Sequence, residues 1–336
     1  MPKSKKNKSV ADSRPVDKEA ALRPATSRRT TLTLIAAFVI VILIIIGATL
    51  YPTQIAPLRR TIITIDGTTI RMDYFLKRAE LSGSDALNML TVLTNEEIIK
   101  IQAPKYGIEV TPEDTDQELR RIASGGSGNI TESEFREWYR QQLNESRVSD
   151  AEFKELVRMQ LLAARLHEYL AVRVPTIAPQ VHLQFIQVSN YNEAIVVKER
   201  WEAGEDFTDL VREVSQHESA ENGGEIGWFP EGVLDDSLDY EAFSLDIGQL
   251  SDPIPYSSNP QEASSEDDFV YFLLMVSEKA AAREIDEASM ASLKSKALDD
   301  WLNQERQYHD IKFNFNSEIN AWINWQLSKR AGTSQQ

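Results

Sequence analysis

The sequence predicts an α+β protein that begins with a transmembrane helix, and three observations indicate this class. Residues 31–51 contain no charged side chain. Residues 60–175 are rich in capped, amphipathic helix patterns. Residues 180–278 combine strand patterns with helices and turn glycines, and residues 285–327 return to a helical pattern. We therefore predict a transmembrane helix, a mostly helical domain, a compact α+β domain and C-terminal helices.

The uncharged segment follows a basic start of the chain. Residues 1–30 carry nine Lys or Arg and three Asp or Glu, a net charge of +6, and because the whole chain carries −16 the remainder carries −22. Residues 31–51 are long enough to cross a hydrocarbon core of about 30 Å as a helix. A cleaved signal peptide is the alternative, but its apolar region is usually only about 7–15 residues long. Because Lys and Arg favour the cytoplasmic side, we predict a single-pass cell-membrane protein with a disordered cytoplasmic head and an extracytoplasmic remainder.

The composition excludes several classes of enzyme. The chain has no cysteine, so disulfides, zinc-thiolate sites and thiol catalysis are ruled out. Its four histidines, His167, His182, His217 and His309, do not form an H-E-x-x-H or paired metal-binding pattern. No glycine-rich phosphate loop occurs, and the acidic remainder of the chain is a poor partner for nucleic acid. We therefore predict no cofactor, no metal and no nucleic-acid partner.

Local signals define the helical domain at residues 60–175. The stretch "TIITIDGTTI" predicts a hairpin, because Asp66-Gly67 suits a type I′ turn between β-branched runs. Thr111 followed by proline is typical of a helix start. Ser149 with Glu152 forms a capping-box pattern before a long amphipathic helix that is predicted to reach Ala171.

The pattern changes after this helical domain. "QVHLQFIQV" alternates apolar and polar residues as a strand does, and two helical segments follow that are interrupted at Gly204. "FVYFLLMV" predicts a central strand. Residues 180–278 therefore form a compact α+β unit. The helical residues 285–327 carry three tryptophans, and we expect them to pack back on the N-terminal helices because such an apolar stripe needs a surface that buries it.

The stretch "NGGEIGWFPEG" holds four of the 14 glycines of the chain beside a Trp-Phe pair. Glycine inside a strand or helix costs roughly 0.5–1 kcal/mol relative to alanine, so this density indicates positive φ angles or close backbone approach.

At these residues the sequence resembles the parvulin (PpiC-type) peptidyl-prolyl cis/trans isomerases. The frame "AGEDFTDLVREVS…NGGEIGWFPEG…FSLDIGQLSDPI" carries the resemblance, which covers residues 180–278. The flanking stretches "GIEVTPEDTDQELRRI" and "SDAEFKELVRMQLLAARL" are similar to the helical chaperone domain of SurA- and PrsA-like foldases. The resemblance implies a small antiparallel sheet surrounded by helices, with a SurA-like helical domain before it.

The resemblance also implies an activity and a partner. An X-Pro peptide bond faces a rotational barrier of about 18–20 kcal/mol, and it isomerises over tens to hundreds of seconds. Parvulins lower this barrier without a cofactor or a covalent step, in an apolar pocket that holds the proline ring. The implied partners are unfolded or proline-containing polypeptides.

The family's site residues map onto this sequence with changes. Phe185 and Phe272 occupy the positions where parvulins usually have two histidines, while His182 is expected to point to the opposite face of its strand. The polar position before the double glycine falls on either Gln216 or His217. The positions that hold the proline ring fall on Leu234, Leu238 and Phe243.

Two functions therefore remain open. One is a membrane-anchored foldase that isomerises prolyl bonds in exported chains, with these residues as its site. The other is a parvulin-fold chaperone with weak or no catalysis, in which the phenylalanines have turned the site into core. An open groove at Phe185, Phe272, Leu234 and Leu238 would favour catalysis, and a filled one would favour binding alone.

Overall fold

The structure is a computed structural model that describes residues 28–51, 55–126, 129–257, 265 and 268–333. The disordered head predicted at residues 1–30 lies outside this range except for its last three residues.

Eleven α-helices and seven strands form within the described ranges. The helices are α1 (Arg28–Leu50), α2 (Met72–Ser82), α3 (Ala86–Gln102), α4 (Pro112–Ala123), α5 (Glu132–Ser146), α6 (Asp150–Ala171), α7 (Tyr191–Glu202), α8 (Phe207–Val214), α9 (Asp236–Ser244), α10 (Glu287–Glu305) and α11 (Ser317–Thr333). The strands are β1 (Thr61–Ile65), β2 (Thr68–Arg71), β3 (Ile177–Val188), β4 (Glu225–Pro230), β5 (Ile254–Tyr256), β6 (Val270–Glu284) and β7 (Ile311–Phe313).

Residues 1–60 form one unit of the chain and residues 61–336 form the other. In the first unit, α1 covers most of the uncharged segment. Among the residues that the structure describes, no helix is both long and apolar enough to cross a membrane, in contrast to the span predicted at residues 31–51.

A small three-stranded sheet opens the second unit. Its strand order is β2-β1-β7, so the hairpin of β1 and β2 gains a third strand from near the C-terminus. The hairpin turns at Asp66 and Gly67, whose φ angles of 47° and 87° are those that a type I′ turn requires. Ile63 of β1 pairs with Phe313 of β7, and this antiparallel pairing joins two ends of the unit.

The helix starts predicted at Thr111 and Ser149 are confirmed by their capping hydrogen bonds. Thr111 and Ser149 each form a capping box, in which the side chain accepts from the third backbone N–H of its helix and the Asp or Glu there accepts in return. A third capping box joins Thr131 to Glu134 at the start of α5. Side-chain oxygens of this kind satisfy N–H groups that have no partner inside the helix.

The C-terminal helices pack on the N-terminal helices. Leu302 of α10 belongs to the same buried cluster as Ile98 of α3 and Leu162 of α6. Arg330 of α11 pairs with Glu80 of α2 at 3.2 Å. These contacts give the apolar face of α10 the surface that its sequence requires.

A four-stranded antiparallel sheet of order β4-β3-β6-β5 organises the α+β region. Helices α7 and α8 cover one face, where Ile186, Leu210 and Leu273 are buried together. On the other face, Leu183 and Leu274 are buried with Ala242 of α9. Successive side chains of a strand point to opposite faces of the sheet. Neighbouring residues of β3 and β6 therefore contribute alternately to the two buried clusters.

The double glycine allows close approach between the loop before β4 and the centre of the sheet. Gly223 and Gly224 have φ angles of 70° and 80°, which side chains rarely adopt. A Cβ atom on Gly224 would lie 2.6 Å from the backbone oxygen of Phe185, and one on Gly223 would lie 2.8 Å from Cγ2 of Thr208. The glycines therefore bring the loop against β3, next to the residues described below.

Candidate functional site

A cavity of about 480 Å³ opens on the α9 side of the four-stranded sheet. Its floor is made by alternate residues of the two central strands, since Phe185 pairs with Leu274 and Gln187 pairs with Phe272 in the antiparallel register. Pairs directly opposite each other in adjacent strands present their side chains to the same face. We call this the sheet cavity. Its lining residues are Leu183, Phe185, Gln187, His217, Ile226, Val233, Leu234, Asp235, Leu238, Tyr256, Phe272 and Leu274.

Three aromatic rings and one imidazole form a continuous wall of the sheet cavity. The ring centroids of Phe185 and Phe272 lie 5.2 Å apart in an edge-to-face arrangement, and Tyr256 lies 5.1 Å from Phe272. The imidazole of His217 lies 4.4 Å from the ring of Phe185. Phe185 is buried whereas Phe272 is half-buried, so the wall is anchored in the core at one end and exposes part of its surface at the other.

Ser219 sets the orientation of the His217 imidazole. Its Nδ1 accepts a hydrogen bond from the backbone N–H of Ser219 at 3.1 Å, and it lies 2.9 Å from the Ser219 hydroxyl. An imidazole nitrogen that accepts carries no hydrogen, so in the neutral ring the hydrogen is on Nε2. His217 thus presents a donor from a half-buried position in the cavity wall.

Two residues that the sequence proposed for the site are absent from the described lining. Gln216 is exposed and donates from Nε2 to the hydroxyl of Ser189 at 2.5 Å, away from the cavity. Phe243 packs against the buried cluster beneath the sheet cavity. It follows Leu238 by five residues on α9, and a helix turns ~140° beyond a full turn over that interval, so the two side chains leave different faces.

His182 takes the position that strand alternation predicts. Its Nδ1 lies 2.7 Å from the hydroxyl of Ser277, and its ring lies 5.1 Å from that of Trp228. It is not among the residues that line the sheet cavity.

Leu234 and Leu238 line the sheet cavity from the α9 side. Leu234 lies in the segment between β4 and α9, and Leu238 lies in the first turn of α9. Asp239 fixes this segment, because both of its carboxylate oxygens accept from the backbone N–H of Gly232, at 3.1 and 3.0 Å. Burial raises the pKa of Asp239, an effect that the bonds from the Gly232 and Leu234 backbone oppose.

Several lining residues were not identified from the sequence. Gln187 could have been found from the alternation of β3, because it lies two residues after Phe185. Ile226 and Tyr256 carried no local signal, since their proximity depends on the pairing of distant strands. Across the described residues no group of His, Asp or Glu is arranged to hold a metal. The sheet cavity is therefore mostly apolar, with His217, Gln187 and Asp235 as its polar lining residues.

Comparison with known proteins assigns a class to this fold and cavity. Residues 187–278 match the family model of the rotamase (PPIC-type PPIase) domain. The matched range contains the double glycine, the Leu234 segment and the first part of strand β6, which carries Phe272. Residues 187–278 are therefore a PPIC-type peptidyl-prolyl isomerase domain, as the sequence predicted.

Among individual proteins, the chain is similar to foldases and to a chaperone. It is 26% identical over 232 residues to the foldase protein PrsA of Geobacillus kaustophilus, an alignment that covers 67% of this chain and 72% of that protein. It is 32% identical over 144 residues to the periplasmic chaperone PpiD of Haemophilus influenzae, which covers 42% of this chain and 21% of that protein. A crystal structure of PrsA from Bacillus cereus aligns over 82% of this chain and 93% of its own, with 18% identity and a TM-score of 0.36.

Proposed function

We propose that the protein is a foldase that isomerises prolyl bonds of unfolded polypeptides in the sheet cavity. The observation that carries this proposal is that Phe185, Phe272, Leu234 and Leu238 all line one open cavity. Its volume of about 480 Å³ lies within the range of small-ligand sites, about 300–1,000 Å³. A proline side chain with its two neighbouring peptide groups is a ligand of this class.

The apolar lining suits the chemistry of rotation about an X-Pro bond. A planar amide is polar because resonance moves charge from nitrogen to oxygen, and twisting the bond removes that resonance. A site that excludes water therefore favours the less polar twisted amide over either planar form. In this proposal Leu234 and Leu238 hold the proline ring, and the aromatic wall of Phe185 and Phe272 shields the amide.

We assign His217 to the polar position of the site and exclude Gln216. The Nε2–H of His217 can donate to a carbonyl oxygen of the bound peptide outside the rotating amide, and such a bond would hold the substrate in the cavity while the bond rotates. Phe185 supports this role, because its ring lies against the imidazole. Isomerisation on this account depends on pocket shape and one donor, and it does not need the two histidines that Phe185 and Phe272 replace.

The experiment for this proposal is a refolding assay with matched variants. A denatured protein whose refolding is limited by prolyl isomerisation is refolded with and without the purified chain. We expect the wild type to accelerate refolding and Leu234→Asp to abolish the acceleration, since a carboxylate in the cavity opposes binding of an apolar ring. Ile247→Asp is the control, because Ile247 is 61% exposed in the same region. No acceleration by micromolar wild-type protein, or full activity in Leu234→Asp, would contradict the proposal.

The location of the protein is a second part of the proposal. We place residues 61–336 outside the cytoplasm, attached to the cell membrane through residues 31–51. Support comes from the absence of charge in that segment and the nine Lys or Arg before it, and from the relative named as a periplasmic chaperone. Alkaline carbonate extraction and protease treatment of intact spheroplasts test this placement. Release by carbonate, or protection of residues 61–336 from protease, would contradict it.

A chaperone activity independent of catalysis is a second candidate function, and helix α5 favours it. This helix has no buried residue, although it carries Phe135, Trp138 and Tyr139 in mutual ring contact. Such a partly covered aromatic surface suits apolar segments of unfolded chains. If it binds clients, suppression of the aggregation of a denatured protein persists in Leu234→Asp and is lost in Trp138→Ala. If suppression is lost in Leu234→Asp alone, the candidate function is wrong.

A further inference from the structure

The segment that carries Leu234 is held from two sides by elements of different regions. On one side, Asp239 of α9 accepts from the N–H of Gly232, as described above. On the other side, the Nζ of Lys296 in α10 donates to the carbonyl oxygen of Gly232 at 3.0 Å and to that of Leu234 at 3.4 Å. An anion thus accepts from a backbone N–H of the segment, and a cation donates to two of its carbonyl oxygens.

Lys296 acts on these carbonyls from a partly buried position. Hydrogen bonds from a charged group are stronger than bonds between neutral groups, because the donor is ionised. A Cβ atom placed on Gly232 would lie 3.4 Å from the side chain of Leu293, one turn before Lys296 on α10. The helix therefore also packs closely on the segment. The contact between α10 and the segment therefore combines packing with two hydrogen bonds.

Helix α10 is itself fixed by the helical region of the chain. Leu302, further along α10, is buried with Ile98 and Leu162. The backbone oxygen of Lys294 lies 2.9 Å from Nε2 of His167 in α6. The position of Lys296 is consequently set by helices outside the parvulin domain, and the Leu234 segment is positioned by them in turn.

The charges around Lys296 are consistent with this arrangement. Burial raises the pKa of Asp239 and of Asp300, and the positive charge of Lys296 opposes both rises. The ammonium group thus stabilises the ionised form of Asp239, and that form accepts the hydrogen bonds from the segment. Loss of Lys296 weakens both attachments of the segment at once.

We infer that Lys296 is a positioning residue for the isomerase site, through which helix α10 holds the Leu234 wall in place for substrate. The inference rests on the proposed function of the sheet cavity. Lys296 does not line the cavity and acts through the segment that does. Leu234 contacts the proline ring in the planar and the twisted states alike, so displacement of this wall weakens binding of both.

The test compares three variants in full-length protein by steady-state isomerisation of a short proline peptide. Lys296→Met removes the hydrogen bonds, and Lys294→Met removes the same charge from an exposed position of the same helix. Lys296→Arg retains a cation that can donate. We expect Lys296→Met to raise KM about three- to tenfold with little change in kcat, since uniform binding energy is lost. Lys294→Met and Lys296→Arg should remain near wild type.

Hydrogen exchange gives a second readout that needs no activity. We expect the amides of Gly232 and Leu234 to exchange faster in Lys296→Met than in Lys294→Met. A fall in kcat with unchanged KM would instead show loss of folded protein and would overturn the inference. Unchanged KM and exchange in Lys296→Met, with activity still lost in Leu234→Asp, would overturn it and leave the proposed function intact. Full activity in Leu234→Asp would remove the proposed function and this inference with it.

Discussion

At the residue scale, the site depends on which side chains a single loop directs into the sheet cavity. Gln216 and His217 are adjacent, yet His217 alone lies against Phe185 and lines the cavity, while Gln216 bonds to Ser189 at the surface. The backbone N–H of Gln216 donates to the carbonyl of Gln187 at 2.8 Å, which fixes the start of the loop against β3. This attachment determines the direction in which each of the two side chains leaves the chain.

His217→Ala tests the assignment of the polar position. We expect kcat/KM for a proline peptide to fall about tenfold, the loss that follows from removing one hydrogen bond to a buried carbonyl. Gln216→Ala is the matched control and should leave kcat/KM unchanged. Equal effects of the two substitutions would contradict the assignment.

Site residues were predictable from the sequence only where a local pattern determined them. Phe185 and Phe272 lie on strands with clear alternation, and both line the cavity. The choice between Gln216 and His217 stayed open because a loop has no periodicity to fix its side-chain directions. Phe243 is not among the lining residues of the cavity, and its assignment as a proline-holding residue stays a prediction.

At the element scale, the helical region is joined by ion pairs between helices as well as by apolar packing. Glu152, in the first turn of α6, accepts from Lys77 of α2 at 2.6 Å and also accepts from Ser149 in the capping box. These hydrogen bonds, with Lys77 first and Ser149 next, lower the pKa of Glu152 from its ordinary value to about 2. One carboxylate therefore both caps α6 and attaches it to α2.

The lowered pKa of Glu152 makes this attachment dependent on pH. Since the pKa is lower in the folded state than in the unfolded state, the stabilisation is complete above about pH 4.5 and is lost as the pH falls from there towards 2. Both side chains are about one-third exposed, so we expect Lys77→Met to cost only about 1 kcal/mol near neutral pH. Urea unfolding of both proteins between pH 7 and pH 3 measures the difference. A difference that stays constant across this range would contradict the argument.

Prediction of elements succeeded where the signal lay within a few residues. The helix start at Thr111, the capping box at Ser149 and the turn at Asp66-Gly67 are all read from four residues or fewer, and the structure contains each of them. Strand β7 was missed, because three residues such as Ile311–Phe313 become a strand only by pairing with β1, far away in the sequence.

At the scale of the whole molecule, the C-terminal residues complete the structure that the N-terminal residues begin. In residues 61–336, β7 adds the third strand to the first hairpin and α10 contributes to the core of the helical region. The imidazole of His309 reinforces this closure, since its Nδ1 lies 2.6 Å from the carboxylate of Asp66 in the hairpin turn. The parvulin domain is thus inserted between two parts of one helical region.

This arrangement predicts that the stability of the helical region depends on α10. Leu302 is 3% exposed, and we expect Leu302→Ala to lower the free energy of unfolding by about 2–5 kcal/mol through the lost contacts and the remaining cavity. Leu87→Ala is the control, because Leu87 is 61% exposed and its substitution should change stability by less than about 0.5 kcal/mol. Similar values for the two variants in urea unfolding would show that α10 is not part of this core.

The central claim is that the sheet cavity catalyses rotation about prolyl bonds without the two histidines. Exchange NMR of a short proline peptide measures this directly, because uncatalysed interconversion takes tens to hundreds of seconds and gives no exchange peaks between cis and trans signals. With the wild-type protein added in catalytic amount, we predict such peaks at mixing times of about a second, and their loss in Phe272→Ala but not in Tyr271→Ala, whose side chain packs on the opposite core. An absence of exchange peaks with wild-type protein, or their persistence in Phe272→Ala, would contradict the account.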